Sequence, residues 1–170
     1  MDLMFVGSQK IYYNIYYGII NLINYFPIIW KDRGYDYYFI YQLLQHKLKL
    51  TSKSLQKYGN FVNSEREVEV LNTIIKLIER EQTSYYDLES QKYYTEKIII
   101  NSKKILEFEL INDNSEEYFK KYKKLYEKVK KNRPDSTNRR ILIEMSMLQQ
   151  KKCSELIWKL MSTNLNRWWY

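Results

Sequence analysis

The chain has 170 residues, of which 45% are hydrophobic and 28% are charged; these are the proportions of a globular protein and exclude a wholly disordered one. The sequence has a single cysteine, Cys153, which excludes an internal disulfide. It also has a single histidine, His46, and one residue of each type is too few for a Cys–His metal cluster. The net charge of +8 lies entirely in residues 115–170, which hold 14 Lys/Arg and 6 Asp/Glu, whereas residues 1–114 hold 14 of each. This basic region is either a solvated lysine face or a surface that attracts a polyanion or a phosphate-bearing ligand.

The first predicted helix runs from about Ser8 to Tyr25, and Pro27 is expected to end it. Residues 11–30 carry no charge over twenty positions, which is the length of a membrane span. Asparagines and tyrosines within this stretch are costly or interfacial in lipid, and we recognise no signal peptide. We therefore predict a buried amphipathic helix and no stable membrane insertion, with contact at a membrane surface as the alternative. Its apolar residues recur at helical spacing: Ile11, Ile15, Ile19, Leu22, Ile23 and Phe26.

A loop over residues 28–35 follows, and the stretch from Trp30 to Tyr38 combines four aromatic rings with two cations and two carboxylates. Rings can stack on a nucleotide base, each contributing about 1–3 kcal/mol when used. Arg33 can bind a phosphate through two parallel hydrogen bonds, and Lys31 adds a point charge. In the alternative interpretation, the neighbouring aspartates neutralise both cations and the rings belong to the core.

Two helices with recognisable boundary signals come next. Asp36 is predicted to cap a second helix that reaches Tyr58 and stops at Gly59. Its predicted inner face consists of Ile40, Leu43, Leu44 and Leu48. Residues 64–67 form a capping box for a third helix that extends to about Asp87. Its predicted inner face consists of Val68, Leu71, Ile74, Ile75 and Ile78.

The remainder of the chain predicts a short β-hairpin and two further helices. Residues 98–100 and 105–110 are β-rich, so a small hairpin at about 96–111 is one interpretation, and a continuing helix is the other. A fourth helix is predicted from Ser115 to the Arg133–Pro134 pair, with an inner face of Tyr118, Tyr122, Leu125, Tyr126 and Val129. A fifth is predicted over about 135–165, with an apolar stripe of Ile141, Met145, Leu148, Leu156 and Leu160. The fold class is therefore mainly α, a single domain of about five helices over residues 1–170.

The chain ends in an aromatic segment that begins with Arg167. Terminal residues usually fray, and two adjacent tryptophans at a free end would expose a large apolar area. We therefore predict that Arg167, Trp168 and Trp169 dock, either into the core of their own chain or onto a partner subunit.

Catalytic signatures are absent from the sequence, which contains no Gly-rich phosphate loop, no GxSxG and no HExxH. His46 lies in the middle of a predicted helix and is interpreted as a packed or solvent-facing side chain. We expect a binding protein without cofactor or metal rather than an enzyme. Three functions stay open: a nucleotide binder, a nucleic-acid-binding accessory protein and a protein inhibitor of a host factor.

Two segments carry a family resemblance. The sequence Phe26-Pro27-Ile28-Ile29-Trp30-Lys31-Asp32-Arg33 precedes Asp36-Tyr37-Tyr38-Phe39-Ile40-Tyr41, and the chain ends Arg167-Trp168-Trp169-Tyr170. Together they resemble small accessory proteins widespread in tailed phages, which commonly end in Trp-Trp-Asp and carry Asp-Trp where this chain has Gly34-Tyr35. The resemblance covers both ends of the chain and covers residues 92–113 poorly.

The resemblance implies a viral accessory protein, and the association is with phage anti-CBASS sponges. Such proteins bind cyclic oligonucleotide immune signals without cleaving them and thereby evade the host's defence. They are small, mostly helical and homo-oligomeric, so the resemblance implies a homo-oligomer in the host cytoplasm. The ligand-binding residues expected for such a role are Trp30, Lys31, Arg33, Tyr37 and Tyr38, with Arg139 and Arg140 as second-rank phosphate ligands.

Overall fold

The computed structural model describes residues 2–31, 37–59, 64–100 and 106–168, with the backbone alone for residues 2–9, 37, 98–100 and 106–109. Within these ranges the fold is mainly α with one small antiparallel hairpin, which confirms the predicted fold class. The elements are α1 (Asp2–Ile29), α2 (Tyr37–Tyr58), α3 (Ser64–Gln82), α4 (Tyr85–Tyr93), β1 (Tyr94–Ile100), β2 (Leu106–Asp113), α5 (Ser115–Lys121), α6 (Lys123–Asn132) and α7 (Asn138–Asn164), followed by a short 3₁₀ turn (Leu165–Arg167).

Two hydrophobic clusters hold these elements together, and the long helix α7 takes part in both. The first cluster joins α2, α3, the second half of α7 and the C-terminal segment; its buried members are Tyr41, Leu48, Leu71, Ile74, Ile78, Cys153, Ile157, Met161 and Trp168. The second joins α5, α6 and the first half of α7; its buried members are Tyr118, Phe119, Val129, Ile141, Leu142 and Met145. Because α7 spans both clusters, it fixes the positions of α3 and α4 relative to α5 and α6.

Helix α1 is not buried, so that part of the prediction is wrong. Each apolar side chain that defines its helical period is at least half exposed. The helix also continues through Pro27 to Ile29, and the Trp30 N–H still donates to the Phe26 carbonyl at 2.8 Å. Proline is tolerated here because the carbonyl that its missing N–H leaves free lies on an exposed stretch, where water can bind it. No helix in the described part of the chain combines the length and apolar character that crossing a membrane requires.

Three predicted helix boundaries also differ. The third predicted helix is interrupted at Thr83–Ser84, and the fourth at Tyr122, whose φ of −117° and ψ of 43° are not helical. The last helix begins at Asn138 rather than near Asp135, because Thr137 supplies the cap and accepts a hydrogen bond from the Arg140 N–H. The predicted capping residue Asp36 lies outside the described residues.

Two helices also present different faces from those predicted. On α2, Ile40 is 59% exposed, while its neighbour Tyr41 is buried together with Leu48. On α7, Leu156 is 43% exposed, and Ile157 takes the inner position in its place. Both helices carry apolar residues at adjacent positions, so helical periodicity alone does not select between the neighbouring faces.

The predicted hairpin is confirmed. Strands β1 and β2 pair antiparallel from Tyr94 opposite Asp113 to Ile100 opposite Leu106, with an irregularity between Thr95 and Glu96. The predicted turn residues 101–104 lie outside the described residues. The alternation of residues 105–110 was therefore a reliable signal, since successive strand side chains point to opposite faces.

The break between α3 and α4 depends on an unusual backbone conformation at Ser84, whose φ of 49° and ψ of 39° are left-handed. We expect Ser84→Val to lower the free energy of unfolding by about 1–2 kcal/mol, because a β-branched side chain fits this region poorly. Ser84→Gly, the matched control, should be neutral or slightly stabilising because glycine adopts this conformation without steric cost. Urea unfolding followed by circular dichroism measures both; equal effects would contradict the role of strain.

Candidate anion-binding cleft

A cleft of about 810 Å³ opens between α3, α4, the α5–α6 pair and α7. This volume lies in the range of small-molecule sites, which is about 300–1,000 Å³. We call it the lysine–tyrosine cleft. Its lining residues are Leu77, Arg80, Tyr85, Tyr86, Glu89, Lys121, Tyr122, Lys123, Lys124, Leu125, Gln149, Lys152, Cys153 and Leu156.

The lining carries a strong excess of positive charge. Five of its side chains are cations, and one, Glu89, is a carboxylate. The cations come from three directions: Arg80 from α3, three lysines from the α5–α6 segment, and Lys152 from α7. Cations that converge on one concave space attract an anion more strongly than the same charges spread over a convex surface.

Glu89 is neutralised within the cleft wall. Its side chain is buried, and its Oε1 lies 2.5 Å from the Lys121 Nζ. The Tyr122 hydroxyl donates to the same carboxylate at 2.8 Å. The hydrogen bond to Glu89 raises the pKa of Lys121, so the Lys121 side chain stays charged and its charge is offset by that of Glu89. The other four cations are Arg80, Lys123, Lys124 and Lys152. Among the described residues none of them forms an ion pair with a carboxylate in the wall, although the Lys123 Nζ lies 4.0 Å from the Glu127 Oε1 outside it.

Aromatic rings stand beside these cations. Tyr85 and Tyr86 open α4 directly after the left-handed residue Ser84, and their rings meet edge to face with centroids 5.4 Å apart. The Arg80 guanidinium lies over the Tyr85 ring at 5.0 Å from its centroid. Tyr85 is 40% exposed, so one part of its ring is available to a stacking partner. The backbone break at Ser84 thus places rings and a guanidinium on the same rim of the cleft.

Cys153 and Leu77 line the apolar part of the cleft wall. The Cys153 Sγ lies 3.5 Å from the Leu77 carbonyl, to which it donates, and the residue is buried. Burial raises the pKa of the thiol, so Cys153 is a neutral packing group at physiological pH.

The described residues of the predicted aromatic loop lie elsewhere. Trp30 is 76% exposed at the end of α1, where its ring lies 5.3 Å from that of Phe26. Lys31 is exposed, and Tyr38 is 38% exposed in the first turn of α2. Arg33 and the side chain of Tyr37 lie outside the described residues.

Arg139 and Arg140 separate at the start of α7. The Arg139 Nε lies 3.3 Å from the Glu96 Oε2 on β1. Arg140 lines a different groove, together with Arg133 and Lys151. The two arginines therefore do not share one site with each other, and neither lines the lysine–tyrosine cleft.

The C-terminal segment packs onto its own chain. Trp168 is 9% exposed within the first hydrophobic cluster, and its indole N–H donates to the Glu67 Oε2 at 2.9 Å. The Arg167 Nη1 lies 3.6 Å from the other oxygen of the same carboxylate. Trp169 lies outside the described residues. Glu67, noted in the sequence only as part of a capping box, is thus the acceptor of this segment.

Sequence reasoning missed the lysine–tyrosine cleft because its parts are far apart along the chain, from Leu77 to Leu156. One usable signal was present: the basic excess of residues 115–170 supplies all four lysines of the cleft. The tyrosine pair at 85–86 carried no comparable signal among 18 tyrosines.

Comparison of the chain with protein-family models, with curated proteins and with solved structures returns no match. The class of protein is therefore defined by the fold and the cleft: a mainly α protein with a basic, tyrosine-lined cleft.

Proposed function

We propose that the protein binds and sequesters a cyclic oligonucleotide in the lysine–tyrosine cleft without cleaving it. One observation carries the proposal: cations from three directions converge with exposed ring surface in a cleft of about 810 Å³. A cyclic oligonucleotide presents two or more phosphates between bases, so it needs separated cations and stacking surfaces at the same time. The resemblance to phage sponges supports an anti-defence role in an infected host cell.

The proposal gives a role to each of several side chains in the cleft. Arg80 is the candidate for a bidentate phosphate contact, since its guanidinium already lies over the Tyr85 ring. Lys124 and Lys152, on α6 and α7, are candidates for a second phosphate. The rings of Tyr85 and Tyr86 offer the stacking surface for a base.

The test compares Lys151 and Lys152, which are adjacent on α7 but line different surface grooves of the protein. We expect Lys152→Glu to weaken binding by about tenfold or more, because it removes a charge-assisted hydrogen bond and places a negative charge near a phosphate. Lys151→Glu changes the net charge by the same amount but lies outside the cleft. It should change the affinity by about threefold at most at physiological salt.

The measurement is isothermal titration calorimetry with a panel of cyclic di- and trinucleotides, with linear dinucleotides for comparison. Chromatography of the recovered ligand shows whether it is intact. We expect Tyr85→Leu to weaken binding by roughly 5- to 100-fold through the loss of one stacking surface. Lack of binding to every member of the panel, or equal losses in both lysine variants, would overturn the proposal.

A second candidate function is supported by the exposed lysines that continue along α5 and α6 beyond the cleft, among them Lys120, Lys128 and Lys131. They favour binding of single-stranded nucleic acid, whose backbone follows a basic surface. In that case both α7 lysine variants would weaken binding to a similar extent, and affinity for an oligonucleotide would fall steeply with salt.

A further inference from the structure

Helix α1 exposes more apolar surface than a monomeric protein normally shows. Between Ile11 and Trp30, eleven large apolar side chains are at least half exposed. At 100° per residue, nine of them lie on one broad side: Ile11, Tyr12, Ile15, Ile19, Leu22, Ile23, Phe26, Ile29 and Trp30. At ~200 Å² for a large side chain, their exposed parts amount to roughly 1,000 Å². The largest apolar patch on a typical monomer is about 300–600 Å², so we expect a binding partner to cover this surface.

The apolar residues are most continuous on the side of α1 that faces away from its own chain. The partly buried positions Ile20, Asn24, Tyr25 and Ile28 mark the side toward α2, where the Tyr25 ring meets His46 at 5.2 Å. At 100° per residue, a stripe of six side chains lies on the opposite side. We call it the aliphatic stripe, and it consists of Ile11, Ile15, Ile19, Leu22, Phe26 and Ile29.

The spacing within the aliphatic stripe matches that of paired helices. Ile15, Leu22 and Ile29 are separated by seven residues each. Apolar residues at this interval, with further apolar positions between them, form the seam along which two helices pack side by side. Gly18 lies at the edge of the stripe, and a Cβ on it would meet nothing within 4 Å in its own chain. A mid-helix glycine is costly to helix stability, and its absent side chain leaves room for a second helix to approach closely.

The absence of charge along the stripe indicates what kind of partner could cover it. Helices that lie on membranes combine an apolar face with a strongly charged one, and α1 has no charged residue between Ile11 and Trp30. A copy of the same stripe is complementary to it, since neither surface carries a charge that would repel the other. The stripe and the flanking side chains of Tyr12, Ile23 and Trp30 together expose roughly 1,000 Å², which exceeds the ~800 Å² per partner of a standard stable interface.

We propose that α1 packs against α1 of a second copy of this chain through the aliphatic stripe. The contact is isologous, because each copy contributes the same residues. It leaves the lysine–tyrosine cleft open, since none of the cleft's lining residues belongs to α1. The proposal is independent of the ligand that the cleft binds.

Sedimentation velocity and multi-angle light scattering on the full chain, from roughly micromolar to submillimolar concentration, test this pairing. We expect the wild-type chain to be dimeric over most of this range. Leu22→Lys should convert it to a monomer with unchanged circular dichroism, because two stripes that each carry a charge repel each other. Asn21→Lys, the matched control, places the same charge on the adjacent exposed position outside the stripe and should remain dimeric.

A second variant tests the close approach of the two helices. Gly18→Ala has free space within a single chain, so it should raise the helix content or leave it unchanged. Against a closely packed second helix, it should weaken the dimer by about tenfold. A wild-type chain that is monomeric throughout, or a Leu22→Lys variant that stays dimeric, would overturn the proposal. Binding to lipid vesicles by a chain that is otherwise monomeric would overturn it as well.

Discussion

Replacing Trp168 by alanine is expected to lower the free energy of unfolding by about 3–5 kcal/mol. The ring is 9% exposed and belongs to the cluster that joins α2, α3 and α7. Its indole N–H also donates to Glu67, which is itself 5% exposed. The substitution therefore opens a cavity and removes a hydrogen bond from a buried carboxylate. Chemical unfolding followed by circular dichroism measures the loss.

Trp158 provides the matched control for this substitution. It lies on α7 and is 52% exposed, and its ring centroid is 6.4 Å from that of Tyr41. Trp158→Ala should lower the free energy of unfolding by about 1 kcal/mol or less. Trp168→Phe keeps most of the ring but loses the donor to Glu67, and should cost about 1–3 kcal/mol. Similar losses in Trp168→Ala and Trp158→Ala would contradict the packing of the C-terminal segment onto its own chain.

The protein is expected to lose stability as the pH rises above about 9–10. Burial raises the pKa of Tyr118 and Tyr122, with the Glu89 charge acting in the same direction. A hydrogen bond to Glu96, followed by burial, raises the pKa of Tyr94 to about 12. Burial likewise raises the pKa of Cys153 from its ordinary value of 9.0. These groups keep their protons in the folded state at a pH where the unfolded chain has already lost them.

The sign of the effect follows from proton linkage. Above pH 9–10 the unfolded state binds fewer protons than the folded state, so the free energy of unfolding falls with pH. Lys121 acts in the same direction, because its raised pKa favours the charged form and its contribution is lost at alkaline pH. Below about pH 8 these groups contribute almost no slope, because the lowest ordinary pKa among them is 9.0, that of the Cys153 thiol. Melting temperatures between pH 7 and 11.5, with tyrosinate absorbance recorded in parallel, measure the fall.

Tyr118→Phe tests which hydroxyl is responsible. Tyr118 is fully buried and its hydroxyl donates to the Gln149 Oε1 at 2.6 Å. At pH 7 the variant should lose about 1 kcal/mol with this hydrogen bond, and above pH 10 its stability should fall less steeply than that of the wild type. Tyr17 is 57% exposed, and Tyr17→Phe should leave the dependence of stability on pH unchanged. A Tyr118→Phe variant with the wild-type slope would contradict the assignment.

Local sequence signals predicted the elements that have one clear apolar face or a clear alternation of apolar and polar residues. The alternation of residues 105–110 indicated a strand, and the hairpin is present. On α3, Leu71, Ile74 and Ile78 are fully buried as their spacing predicted, because this helix carries one dominant apolar face. Helix α1 has apolar residues on most sides, so the same signal predicted burial, whereas the described part of the chain covers only its side toward α2.

The helix breaks could not be read in the same way. Ser84 and Tyr122 are ordinary residues in continuous helical patterns, and no local signal distinguishes them from their neighbours, although their backbone conformations are not helical. The binding site was predicted in the segment 30–38 because aromatic and charged residues are adjacent there in the sequence. Residues that come together only through folding leave no such local pattern. The cleft is instead assembled from short segments on several helices.

The amino-acid sequence by itself determined the helical class and the concentration of positive charge in residues 115–170, because each depends on composition or on a short-range period. It offered the hairpin as one of two interpretations, and the structure decided between them. The tertiary structure decided which of those charges act together. Arg80, Lys124 and Lys152 meet in one cleft because α7 packs against both α3 and α6, and no local pattern encodes that packing. It also decided that α1 is exposed, since the free energy of burying its apolar stripe depends on a surface that the described residues of its own chain do not provide.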